Sequence, residues 1–210
     1  VAQQDITWAY GALFDSDIWG QIDSVIPASE VKQSIQELWI RPAIYETYRQ
    51  HNIQRLNNIV PYATREGATT GLLLNDPNMV HQAVNFLDRL LTNENWLSDG
   101  IWYEESASYS DQASGNVLTT IDVVKKWVDP TDYTDTQFGI QLNNTDLAPR
   151  WPLINQFASF SSDKLIYPDG TTIPVNDSYG KKGSPQPLSI VNKGLKNIEL
   201  PGLGYYALFQ

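Results

Sequence analysis

A chain of 210 residues with 41% apolar and only 18% charged residues can bury a sizeable core, which excludes a disordered tail and a charged coiled coil. The formal net charge of −10 opposes a phosphate backbone, so no nucleic-acid partner is expected. Cysteine is absent, which removes disulfides, thiolate metal sites and thiol nucleophiles together. No apolar run approaches a membrane span, so no membrane partner is expected. The start Val1-Ala2-Gln3-Gln4-Asp5 carries no basic-then-apolar signal, and the expectation is a mature or excised segment of a longer polypeptide.

Residues 1–130 read mainly as helices. In Glu30 to Ile40, Val31, Ile35 and Leu38 form one apolar stripe, with Ser29 as N-cap and Pro42 near the far end. A second helix is predicted over Ile53 to Leu74, ending at Asn75-Asp76-Pro77. The third starts there, with Asp76 as N-cap, Pro77 in the first turn and Met79, Ala83, Phe86, Leu87, Leu90 and Leu91 facing inward. Asn95 to Gly100 reads as a turn, and a further helix runs from about Ala107 to Trp127, closed by Asp129-Pro130. A helical patch is possible around Trp151 to Phe160. From Leu165 onward Pro, Gly and short β-prone runs take over, including Ile166-Tyr167, Leu188 to Val191 and Leu203 to Phe209. Helices first and strands later fit two layers or domains, with 1–160 helical and 161–210 a linker and first strands of a sheet.

Two stretches carry chemistry-bearing residues. In Tyr48 to Asn58, helical spacing puts His51, Gln54, Arg55 and Asn58 on one face, where amides and a guanidinium suit a carboxylate or sugar hydroxyls. A solvated helix start is the competing reading. In Asp99 to Tyr109, a turn precedes Trp102, Tyr103, Glu104 and Glu105, and Tyr109 falls where a helix begins. A tyrosine there can exchange a proton with substrate; loop packing is the alternative. His81, within the third helix, reads as a surface or packing residue. No metal-binding pattern is present, and no cofactor is expected.

Together the two stretches resemble the heparinase II/III-like and alginate lyase-like polysaccharide lyases. The resemblance rests on Asn52-Ile53-Gln54, then Ala68 to Asp76, then Asp99 through Tyr109, with Pro168-Asp169-Gly170 and Asn176-Asp177-Ser178 further on. It covers roughly residues 40–210. It implies a mainly α fold, the later helices of a partial (α/α) toroid leading into an antiparallel β-sandwich domain. It also implies a secreted or periplasmic enzyme acting on a polysaccharide by β-elimination at a uronic acid. Asn52 and Gln54 would then neutralise the substrate carboxylate, and Tyr109 would be the acid and also a candidate base. His51, Arg55 and Glu104 would contact substrate, and Trp102 and Tyr103 would stack on sugar rings. Arg65 is a further candidate for the carboxylate. In such lyases a histidine from the sheet domain completes the site, so the rest of the same enzyme is an expected partner. The rival expectation is a glycoside hydrolase using Glu104, Glu105 or Asp99 as paired carboxylates; a third is a carbohydrate-binding protein without chemistry.

Overall fold

The computed structural model describes residues 2–53, 56–97, 100–154 and 156. The expected strands after Leu165 and the motifs at Pro168 and Asn176 lie outside these residues. Among the described residues the fold is helical: α1 (Ala2–Leu13), α2 (Ile18–Ile22), α3 (Ala28–Ile35), α4 (Arg41–Ile53), α5 (Ile59–Leu74), α6 (Pro77–Leu90) and α7 (Ala107–Val124). Pairing of extended backbone is limited there to two isolated antiparallel bridges, Trp96 with Trp102 and Val128 with Asn143. No helix among the described residues is long and apolar enough to cross a membrane.

The first predicted helix is displaced at both ends. It begins at Ala28, not after Ser29, because Asp23 Oδ1 accepts from the Ala28 N–H at 2.7 Å and Pro27 is extended. It does not stop near Pro42. A π-helical turn, Gln36–Ile40, joins α3 to α4. Pro42 has no N–H to continue the α ladder, and a wide turn just before it accommodates that loss. The inserted residue rotates the stripe: Ile40 is buried, whereas Leu38 is 71% exposed.

The second predicted helix is two. The chain breaks between α4 and α5, where Asn57 Oδ1 accepts from the Ile59 N–H at 3.0 Å. Such short-range side-chain capping competes with a continuous helix and starts a new one. α5 is then buried on almost every side, against α6 and α7 most extensively and against α4. Two glycines one turn apart permit this. A Cβ on Gly67 would collide with the Tyr48 hydroxyl and ring, and one on Gly71 would lie 2.8 Å from Val80 Cγ2 and 2.9 Å from Met79 Cβ. Across Gly67, the Tyr48 hydroxyl donates to the Met79 carbonyl at 3.1 Å, tying α4 to α6 over the top of α5.

α6 follows its sequence pattern. Asn75 takes a left-handed φ of 51° and the Asp76 N–H returns to the Gly71 carbonyl at 2.8 Å, a Schellman closure of α5. Asp76 then caps α6 by accepting from the Met79 N–H at 3.2 Å, with Pro77 in the first turn. Met79, Ala83, Phe86, Leu87 and Leu90 are almost wholly buried, joined in the core by Val80, Val84, Trp96, Trp102, Val117 and Ile121. Asp76 also binds Arg41 and receives the Tyr45 hydroxyl at 3.2 Å, so one carboxylate fixes the start of α4 to the α5–α6 corner. A smaller cluster of Tyr10, Ile40 and Leu74, flanked by Phe14, Trp19 and Leu73, seats α1 and the π turn.

α7 is capped by Ser106, whose hydroxyl accepts from the Tyr109 N–H at 3.4 Å. Beyond Trp127 the chain turns back: Asp129 N–H donates to the Leu142 carbonyl at 2.9 Å and Asn144 N–H to the Trp127 carbonyl at 2.7 Å. Past this return, Ala148–Arg150 is a 3₁₀ turn; of the helical patch expected over Trp151 to Phe160, Ile154 and Gln156 are helical, and 155 and 157–160 lie outside the described residues. Arg150 pins the turn to α6 through Asp88 at 2.7 Å and 2.8 Å.

Candidate active site

The two stretches singled out in the sequence meet at one end of the helical body. α4 ends there at Ile53, and α5 and α7 both begin there. Tyr103 donates its hydroxyl to the Leu56 carbonyl at 2.7 Å. Glu104 Oε2 accepts from the Asn58 backbone N–H at 3.1 Å and from the Trp102 indole Nε1 at 2.6 Å. The Trp102 backbone N–H donates to Ser110 Oγ at 3.1 Å, one residue past Tyr109. The segment 102–110 is thereby laced both to the connector before α5 and to the first turn of α7.

The geometry at α5 has a local cause. The first N–H groups of a helix lack intrahelical partners. In a capping box a glutamate within the helix reaches back to the N-cap N–H. Here Glu104, 46 residues away, performs that service for Asn58. Its negative charge also suits the positive end of the α5 dipole. Glu105, the next residue, takes a left-handed φ of 53°, which turns the chain from this contact into the Ser106 cap.

Each expected site residue can now be located. Tyr109 lies half-buried in the first turn of α7, packed against the edge of the main core. Tyr103 and Glu104 are half-buried at the junction just described. Trp102 is a correction: it is fully buried, its ring 5.0 Å from those of Trp96 and Tyr103. Core packing covers its faces, so it supports the junction instead of stacking on a sugar. His51 and Asn52 lie in the last turns of α4, which runs into this junction. Gln54, Arg55 and Asp99 lie outside the described residues. Arg65 is on α5, seven residues beyond Asn58 and therefore on the same helix face. It bonds Glu66 at 2.7 Å and covers the Tyr62 ring at 4.8 Å.

His81, expected as a surface or packing residue, is a packing residue whose ring nitrogens are also both held. It is fully buried, with Nε2 2.6 Å from Asp129 Oδ1 and Nδ1 2.9 Å from Asp135 Oδ2. Tyr133 lies against its ring at 5.0 Å. Asp129 Oδ1 also accepts from Trp127 Nε1 at 2.8 Å, and its Oδ2 from the Leu142 N–H at 2.7 Å. Asp135 accepts from the N–H groups of Gln137, Phe138 and Ile140. The arrangement folds residues 127–142 onto α6 and spends its carboxylates on backbone and indole donors, so it reads as a clamp. The sequence signal that could have found it is the Asp-Pro turn at Asp129 followed by the loop-organising Asp135. Among the described residues no group of His, Asp and Glu forms a metal site.

No family model matches the chain, no curated protein matches it, and no solved structure matches it.

Proposed function

We propose that the chain is part of a polysaccharide lyase that cleaves a uronic-acid-containing glycan by β-elimination. The observation that carries this reading is the meeting of the two sequence stretches behind the family resemblance, through Tyr103 to Leu56 and Glu104 to Asn58. The packing of α5 against α7 thus brings stretches 46 and 47 residues apart together at one place.

In the proposed reaction a neutralised substrate carboxylate acidifies the C5 proton. A base removes that proton, the C4–O bond breaks, the departing glycosidic oxygen takes up a proton, and a C4–C5 double bond remains. No water is consumed. Asn52 and Gln54 are assigned to the carboxylate, and donors held against the developing enolate charge supply the largest rate effect. Tyr109 is assigned as acid and as candidate base. His51, Arg55 and Tyr103 are assigned to substrate contact. On this reading the helices belong to a partial α/α toroid of a secreted or periplasmic enzyme. A β-sandwich domain of the same enzyme then completes the site with a histidine.

The test is incubation of the full-length protein with a panel of uronate-containing glycans. Lyase action generates an unsaturated uronyl end and a rise in ultraviolet absorbance. New reducing ends without that rise would instead assign a hydrolase, and binding with neither a non-catalytic protein. Tyr109→Phe is expected to lower kcat by about 10²–10⁴-fold with the fold unchanged. Full activity in that variant would remove Tyr109 from the chemistry.

A further inference from the structure

The lyase reading gives Glu104 no proton to move, yet this carboxylate is the best-connected group at the junction. A single oxygen, Oε2, holds the Trp102 indole at 2.6 Å and the Asn58 N–H at 3.1 Å. Asn58 is the N-cap of α5, which follows the connector leaving α4. Trp102 is a fully buried anchor, and its backbone N–H holds Ser110 in the first turn of α7. Any displacement of Glu104 therefore acts on both helix starts at once. Tyr103 reinforces the same link through the Leu56 carbonyl at 2.7 Å.

We propose that Glu104 is a positioning residue: it ties the connector before α5 to the start of α7 and so sets Tyr109 relative to the end of α4. The proposal rests on the site reading given above and gives Glu104 a scaffold role in place of substrate contact. Oε2 is committed as an acceptor to two N–H groups belonging to the scaffold. What the bonds require is an acceptor, not a negative charge, and an amide oxygen is also an acceptor.

The experiment compares Glu104→Gln and Glu104→Ala in the full-length chain. Hydrogen–deuterium exchange is followed over residues 56–62 and 102–112, and kinetics on whichever uronate glycan the parent cleaves. Glu104→Gln is expected to exchange like the parent and to keep kcat within about threefold. Glu104→Ala is expected to raise exchange in both segments together and to lower kcat at least about tenfold with KM little changed, the signature of misplaced groups. Should the alanine variant fail to fold, Glu104→Asp, one methylene short, is expected to show the same pattern more weakly. A Gln variant as inactive as Ala with parent-like exchange would overturn the proposal in favour of proton transfer by Glu104. Exchange that rises in one segment only, or in neither, would overturn the link itself. If the parent cleaves no uronate glycan, the lyase reading fails alone, and the exchange comparison still decides whether Glu104 joins the two arms.

Discussion

His81 sits on α6 between carboxylates that come from 48 and 54 residues further along the chain. A phenyl ring in its place offers the two acids no nitrogen to bond. His81→Phe is therefore expected to destabilise the protein by about 1–3 kcal/mol, the usual cost of leaving buried hydrogen-bonding groups without a partner. A urea midpoint measures it, and a loss below about 1 kcal/mol would mean the clamp contributes little beyond an ordinary packing contact. Asp135 adds a pH dependence of definite sign. Burial raises its carboxyl, but the N–H donors of Phe138, Ile140 and Gln137 and the His81 ring outweigh that and hold it down to about 2. The folded value lies below the ordinary 3.8, so the stabilisation is complete above about pH 4 and is lost as pH falls toward 2. Asp135→Asn is expected to flatten the acid side of the stability curve, read as urea midpoints between about pH 5 and 2. In the sequence only the Asp-Pro turn at Asp129 and the acid at Asp135 hinted at this clamp; the pairing with His81 was not legible. A lone histidine on an apolar helix gives no sign of partners that only tertiary folding brings to it.

Among the helices, α6 was legible because its signals are local. A cap, a proline and an apolar stripe lie within one 14-residue segment. The π turn before α4 and the break before α5 were not, since both depend on where a carbonyl or side chain finds its partner. Ile35 to Ile40 looks like a plain amphipathic run until one extra residue enters the turn. The site divides the same way. Its two arms stand out as polar stretches, but the contact through Glu104 joins a helix start to a loop and has no spacing rule. Helix packing also yields a prediction at Gly67. Gly67→Ala is expected to cost about 1–3 kcal/mol, because the new methyl meets the Tyr48 hydroxyl inside a closed core. Tyr48→Phe alone loses the bond to Met79, about 1 kcal/mol. Combined with Gly67→Ala it removes the colliding oxygen but leaves the ring carbons against the new methyl, so the double variant should be only modestly more stable than the sum of the two losses. Thermal or urea denaturation of the four proteins closes that cycle, and strict additivity would show that the hydroxyl is not the obstacle.

Across the 210 residues of this chain the net charge of −10 opposes the polyanion that the proposed reaction requires. Exposed charges farther apart than about 10 Å are screened at 0.1 M salt. Apparent KM for a uronate glycan is therefore expected to fall as salt rises from low concentration toward that value, the reverse of a basic glycan-binding protein. Steady-state assays across a salt series check the sign; a KM that rises would mean that cations lining the cleft dominate over the global field.

Asp76 concentrates three duties in one carboxylate: it caps α6, pairs with Arg41 and receives Tyr45. Burial, followed by the charge and hydrogen bond of Asp76, raises the ionisation of the Tyr45 phenol well above its usual range, which keeps it a donor throughout ordinary conditions. The consequence is cooperativity. The start of α6 cannot fray without releasing Arg41 and Tyr45 of α4, and the left-handed closure of α5 lies between them. The three helices are therefore expected to open as one unit, read as a common hydrogen-exchange free energy at the starts of α4 and α6.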